Sequence, residues 1–202
     1  MPKAGGNRRS SNDFWAEKAK VEGYPARSVY KLEEILAKSG GIKSDSLVLD
    51  LGAAPGSWSF YLVRKHQARV VACDLKPLDS KVLANKQIDF IKGDFLREDV
   101  SAKIASYGAY DAVVCDAAPA TTGDRLVDSA RSYRLVEQAL GLALAHLVEG
   151  GLFIAKIFAG GDEQELIEQA KLHFVDVKTM RPKAVRKESF ELYLVASKFN
   201  KS

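Results

Sequence analysis

Seven short apolar runs, at 46–51, 69–74, 87–91, 110–115, 151–157, 174–179 and 190–197, punctuate the chain, with helical patterns at 28–38, 57–66, 128–148 and 163–173 set among them. Runs of this length bounded by turn residues read as buried strands, and strands alternating with helices imply a mostly parallel sheet covered by helices on both faces. Only a loop separates the last two runs, so they are expected to pair as an antiparallel hairpin in or beside that sheet. The first residues of a reversed final strand lie on the same rim as the last residues of the parallel strands. Glu191 is thereby brought to the edge where ligands of such sheets bind. Gly40-Gly41 are expected to stop the first helix and Gly150-Gly151 the long one, while Asp162 and Glu165 read as a capping box that starts the helix at 163–173.

The 202 residues, 47% of them hydrophobic, suffice for one α/β domain with a full core and leave no room for a second. That domain is expected over 13–202, after a basic flexible arm at 1–12, "MPKAGGNRRSSN", which lacks the apolar segment of a signal peptide. No apolar stretch approaches the roughly twenty residues that span a bilayer. Cys73 and Cys115 end apolar runs and read as reduced, buried, small side chains of a cytoplasmic protein with no membrane partner. His66, His146 and His173 lie far apart with no ligand spacing to the cysteines, so no metal site is expected.

The net charge of +4 is unevenly placed. Lys3, Arg8 and Arg9 fall in the arm, Arg27 and Lys31 follow, and Lys178, Arg181, Lys183, Arg186 and Lys187 crowd together near the end, around a nearly balanced middle. Basic ends of this kind point to a polyanionic partner.

The loop that follows the first strand is written in "DLGAAPGSWSF", Asp50 to Phe60. Gly52 and Gly56 let the backbone approach a ligand at a helix N-terminus. The spacing is neither that of a dinucleotide loop nor of a P-loop, so something other than phosphate is held. Acidic residues recur at successive strand ends: Asp50, Asp74, Asp94 and Asp116. An aspartate after the second strand suits free ribose hydroxyls, and further carboxylates suit a ligand with a positive charge and an exocyclic amine. S-adenosylmethionine has all three. Trp58 serves equally as a stacking surface for that ligand or as filler beneath the helix. Lys156 interrupts the run from Leu152 to Phe158, where an ammonium needs carboxylate company; Asp116 and Glu191, expected at the same rim, supply it.

The segments "GYPARSVYKLEEI", "VLDLGAAPGSWS", "ACDLKP", "GDF", "CDAAP", "GGLFIAKIF" and "FELYLVA" occur in the order and spacing of the FtsJ-like, or RrmJ-like, ribosomal RNA large-subunit methyltransferases, and from about Asn12 onward the chain resembles that family. The resemblance implies a Rossmann-like fold that methylates a ribose 2′-hydroxyl of RNA with S-adenosylmethionine. It implies a Lys-Asp-Lys-Glu tetrad at Lys31, Asp116, Lys156 and Glu191, and cofactor contacts at Gly56, Trp58, Asp74, Asp94 and Asp116. It also implies, as substrate, a uridine in the peptidyl-transferase region of 23S ribosomal RNA, within the large subunit. RNA contacts are expected from Arg27, Lys31, Arg181, Lys183, Arg186 and Lys187, and the enzyme is expected to be a monomer. The chain departs from the family in carrying Ala120 and Thr121-Thr122 where asparagine commonly follows "CDAAP".

Other methyl transfers fit the residues less well. Methylation of a base amine calls for an aromatic after the fourth strand, and Ala117-Ala118-Pro119-Ala120 has none. Methylation of a ring carbon calls for an activated thiolate, which Asp116 beside Cys115 disfavours. Two other readings remain open: the same chemistry on a transfer RNA anticodon loop, and an RNA-binding assembly factor without turnover.

Overall fold

The computed structural model describes residues 11–120, 122–160, 163–186 and 188–201. Five strands, β1 (Leu47–Leu51), β2 (Arg69–Asp74), β3 (Ile88–Lys92), β4 (Tyr110–Cys115) and β5 (Leu147–Phe158), lie parallel in the order β3-β2-β1-β4-β5. β6 (Phe174–Met180) and β7 (Glu191–Phe199) complete the sheet, with β7 inserted antiparallel between β5 and β6. The reversal carries out the expected consequence: Glu191 pairs with Phe158, the last residue of β5, and Tyr193 with Lys156.

Seven helices occur among the described residues: α1 (Ser11–Glu22), α2 (Val29–Lys38), α3 (Ser57–His66), α4 (Ser80–Leu83), α5 (Glu98–Ala105), α6 (Arg125–His146) and α7 (Glu163–Lys171). Side chains alternate across each strand, so the sheet carries a core on each face. Val48, Val114, Ile154 and Tyr193 pack with α2 and α3, whereas Leu49, Val113, Phe153 and Leu194 pack beneath α5, α6 and α7. Fully burying each of these large side chains contributes about 1.5–3 kcal/mol. Lys156 is in phase with Ile154 and so faces the α2 side, the side from which Lys31 approaches.

Three differences from the sequence reading have local causes. α1 begins within the expected arm and runs through residues that show no helical pattern, because its apolar stripe is narrow: Phe14 and Val21 remain exposed while Ala19 packs inward and Trp15 packs on Tyr30 at 5.0 Å. α5 offers only Val100 and Ile104 to the core, too few to mark a helical period, although Glu98 and Asp99 suit its first turn. Gly150 and Gly151 do not stop α6; that helix ends at His146, and the glycines lie inside β5 beside a shift in its register with β4. The expected glycine stop does occur after α2, where the Gly41 amide donates to the Leu36 carbonyl. Asp162, the expected cap of α7, lies outside the described residues.

Asp50, near the end of β1, is fully buried. Ser59 of α3 donates to its Oδ2 at 2.6 Å. Burial pushes the carboxyl from 3.8 up to about 7, against the pull of that hydroxyl and helped by Asp116 and Asp74. A raised acid binds its proton more tightly in the folded than in the unfolded chain, so the cost of ionising it is absent below about pH 4 and grows until about pH 7. Asp50→Asn is therefore expected to gain stability relative to the wild type across that window and to hold the difference above it. Urea melts of both proteins between pH 4 and 8 check this, and parallel stability curves would contradict it.

Candidate active site

The sheet order changes direction between β1 and β4, and at the carboxyl ends of these strands a cavity of about 590 Å³ opens, lined by Gly52, Asp74, Leu75, Asp94, Phe95 and Asp116 among others. Backbone packing explains its floor. Gly52 has φ +71°, and a Cβ there would stand 2.5 Å from the Ala117 backbone, so a bare residue lets the loops after β1 and β4 touch. Gly56, φ +103°, caps α3 with Val82 where its Cβ would be. The second glycine thus serves packing between α3 and α4.

The cavity's carboxylates are pre-set by backbone amides. Asp74 accepts from Ala54 and Lys76, each at 2.8 Å, and Asp94 accepts from Leu96 at 3.0 Å. A carboxylate has about four acceptor positions, so each keeps capacity for a ligand's hydroxyls or amines. α6 closes one wall with Arg131, Arg134, Leu135 and Gln138. Asp128 secures the neighbouring loop, accepting from the Thr122 amide and hydroxyl at 2.7 and 2.9 Å and from the Gly123 amide at 3.2 Å. Sequence reasoning missed this residue; its signal was an acid on the apolar side of an amphipathic helix, close to a Gly turn.

Beside the cavity the tetrad assembles. Lys156 Nζ stands 3.0 Å from Asp116 Oδ1 and also donates to the Asp116 carbonyl. The Tyr193 hydroxyl donates to the same Oδ1 at 2.8 Å. Lys31 Nζ contacts Glu191 Oε1 at 2.5 Å and lies 5.7 Å from the Tyr193 ring centre. Both lysines are buried, Lys31 at 8% and Lys156 at 9% exposure. Asp116 belongs to both sites, lining the cavity and holding Lys156.

The charges settle accordingly. Burial alone would raise the Asp116 carboxyl, but Lys156 and Lys31 outweigh it and hold the group below its ordinary value. Burial would likewise lower Lys156, and Asp116 with Glu191 reverses the balance, so the amine sits above its ordinary value and rests as an ammonium. Burial, then Asp116 and Glu191, push the Tyr193 phenol far up, keeping it a donor. Cys115 is pushed up to about 12, chiefly by burial, and is no thiolate near neutral pH.

A family profile described as FtsJ-like methyltransferase matches residues 24–199. The chain belongs to the FtsJ-like methyltransferase family. It is 47% identical over 195 residues to a protein of Treponema denticola named ribosomal RNA large subunit methyltransferase E, covering 96% of this chain and 98% of that one. A Borreliella afzelii protein of the same name is 44% identical, covering 94% of this chain and all of its own. Among solved structures, a candidate ribosomal RNA methyltransferase of Plasmodium falciparum superposes with a TM-score of 0.76 at 26% identity, over 87% of this chain and 98% of that one.

Not every residue that the FtsJ-like pattern nominates reaches a ligand surface. Trp58 is 2% exposed: its indole donates to the Ser28 carbonyl at 2.8 Å and its ring lies 6.0 Å from that of Tyr193. It is core, supporting the tyrosine that holds Asp116. Lys31 is spent on Glu191, which makes it a tetrad member more than a phosphate contact. Arg181 turns its guanidinium onto the carbonyls of Arg186, Ser189 and Glu191 and so shapes the loop before β7. Arg27 and Arg186 instead flank a cleft of about 400 Å³ whose floor includes Glu191. Lys183 is exposed on the same loop, and Lys187 lies outside the described residues.

Asp74 gives the sharpest test of the cavity. Asp74→Ala is expected to weaken S-adenosylmethionine binding by about 1.5–3 kcal/mol, the worth of a hydrogen bond to a charged group. Isothermal calorimetry on the folded variant measures this, and unchanged affinity would remove Asp74 from the cofactor site.

Proposed function

We propose that this chain is an S-adenosylmethionine-dependent RNA methyltransferase that acts on a ribose 2′-hydroxyl of large-subunit ribosomal RNA. We assign the target to a uridine of the peptidyl-transferase region in 23S ribosomal RNA, and the enzyme to the cytoplasm as a monomer. One observation carries the reading: Asp116 lines the cavity and at the same time holds the Lys156 ammonium at 3.0 Å, so a methyl donor and a hydroxyl-orienting lysine share one carboxylate. The names of the Treponema and Borreliella relatives supply the substrate class.

The cavity's chemistry suits the cofactor. Asp74 offers acceptors for ribose hydroxyls, Asp94 an acceptor for an exocyclic amine, Leu75 and Phe95 apolar surface, and the cluster of carboxylates favours a cationic ligand. When bound, S-adenosylmethionine supplies an activated methyl group. The protein's own part is to hold and deprotonate the acceptor. Lys156 Nζ orients the 2′-oxygen by hydrogen bonding, and in its neutral form takes the hydroxyl proton. Asp116 and Tyr193 fix the amine's position, while Lys31 and Glu191 complete a ring of alternating charge that compensates its burial. Arg27 and Arg186, beside Glu191, present positive charge to the RNA backbone. Donor and acceptor held in line account for much of the rate.

Because the amine rests protonated, the neutral fraction grows as pH rises. The single-turnover rate is expected to increase with pH from 7 toward the lysine pKa, about tenfold per unit for one proton lost. Lys156→Ala is expected to lower that rate by about 10²-fold or more, with cofactor and RNA affinities little changed, since the group acts in the transition state. Lys156→Arg is not expected to rescue it, because a guanidinium stays protonated. Tritiated methyl transfer with enzyme in excess measures all three; wild-type rates in the alanine variant would overturn the assignment, and full activity in the arginine variant would reduce Lys156 to positioning.

A further inference from the structure

At the same rim, three side chains outside the tetrad form a cluster. Phe158 closes β5 two residues after Lys156, and Phe190 immediately precedes Glu191. Their ring centres lie 4.8 Å apart at 59°, and the Ala159 amide donates to the Phe190 carbonyl at 2.9 Å, which locks the two strand ends together. From the first turn of α6, the Arg125 guanidinium lies over the Phe190 ring, 5.3 Å from its centre. Its two bonds to the Ala159 carbonyl are long, 3.4 Å each, so the cation is placed over the ring without being fixed there. Phe190 is half-buried and Arg125 exposed.

A cation on an aromatic face occurs widely as simple surface packing. Here its position demands more. A half-buried aromatic ring stands one residue before Glu191 and is paired with a ring two residues after Lys156, at the end of the same two strands that carry the tetrad. Aromatic faces and guanidinium planes are the surfaces on which proteins stack unpaired RNA bases. Resting on the RNA methyltransferase reading above, we infer that Phe190, backed by Phe158 and flanked by Arg125, is the seat for the unstacked base of the target nucleotide. Base stacked on ring, the ribose is presented to Lys156 while the phosphates face Arg27 and Arg186. Every base has a π-face, so the seat contributes affinity and orientation but does not choose the base.

Two measurements test the seat. In the first, single-turnover methyl transfer to large ribosomal subunits from cells lacking the gene is compared for wild type, Phe190→Leu and Phe190→Tyr. Leucine keeps apolar bulk and removes the π-face; a loss of about tenfold is expected at subsaturating RNA, with tyrosine recovering most of it and S-adenosylmethionine affinity unmoved. In the second, fluorescence anisotropy compares a uridine nonamer with the same oligomer lacking its central base. The wild type is expected to bind the abasic oligomer several-fold more weakly, and Phe190→Leu to bind both alike. Equal sensitivity to base removal in the two proteins, or full transfer by Phe190→Leu, would overturn the seat while leaving the enzymatic reading intact. No methyl transfer by the wild type, together with base-dependent binding lost in Phe190→Leu, would overturn the enzymatic reading and keep the seat.

Discussion

An ammonium withdrawn from water into a sheet is tolerated only against a carboxylate at contact distance, since the desolvation of each ion costs several kcal/mol before pairing returns it. Lys156 and Asp116 meet that condition because β4 and β5 run parallel in register, Cys115 opposite Ala155, so that the residue just after β4 meets the residue beside it inside β5. The pair then imposes requirements outward. Tyr193 must donate to the same carboxylate, and it comes from the cross-strand partner position of Lys156 on β7. Glu191 must stand at this rim to neutralise Lys31, which only an antiparallel β7 allows; run parallel, that strand would deliver Glu191 to the opposite end of the sheet. Even Trp58, buried in the core, answers to the pair by packing against Tyr193 and tying α3 to the start of α2.

Asp116 also joins two sites that could otherwise drift apart. It lines the cavity at the strand-order reversal, and the loop that follows it is held close by the bare backbone of Gly52 on one side and by Asp128 on the other. Cavity and tetrad are therefore built on one edge of the sheet, with their groups set by backbone amides and packed aromatics. This is the pre-organisation a reaction governed by alignment needs.

Much of this was legible in the sequence, for physical reasons that differ from part to part. Strands declare themselves through short apolar runs, and the absence of a helical pattern between the last two announced the reversal that carries Glu191 to the rim. Of the aspartates at successive strand ends, Asp74, Asp94 and Asp116 marked the cavity, whereas Asp50 is buried against Ser59. What stayed hidden depended on tertiary packing. α1 and α5 bury too few side chains to show a period; Gly150 and Gly151 look like a helix stop until β5 is seen to begin at Leu147. Trp58 has the chemistry of a stacking residue and the location of a core residue, and only the fold decides. Arg181 reads as a phosphate contact, yet its planar fork organises the carbonyls of its own loop. Asp128 and the Phe158–Phe190 pair owe their significance to neighbours distant in sequence.

A ribose oxygen is the methyl acceptor proposed for this rim. Alkaline hydrolysis decides it, because cleavage of RNA by alkali needs a free 2′-hydroxyl. Large ribosomal subunits lacking the modification, incubated with the protein and tritiated S-adenosylmethionine, should yield RNA whose label survives hydrolysis within a dinucleotide. Label released in mononucleotides would mean that a base had been methylated and would contradict the account.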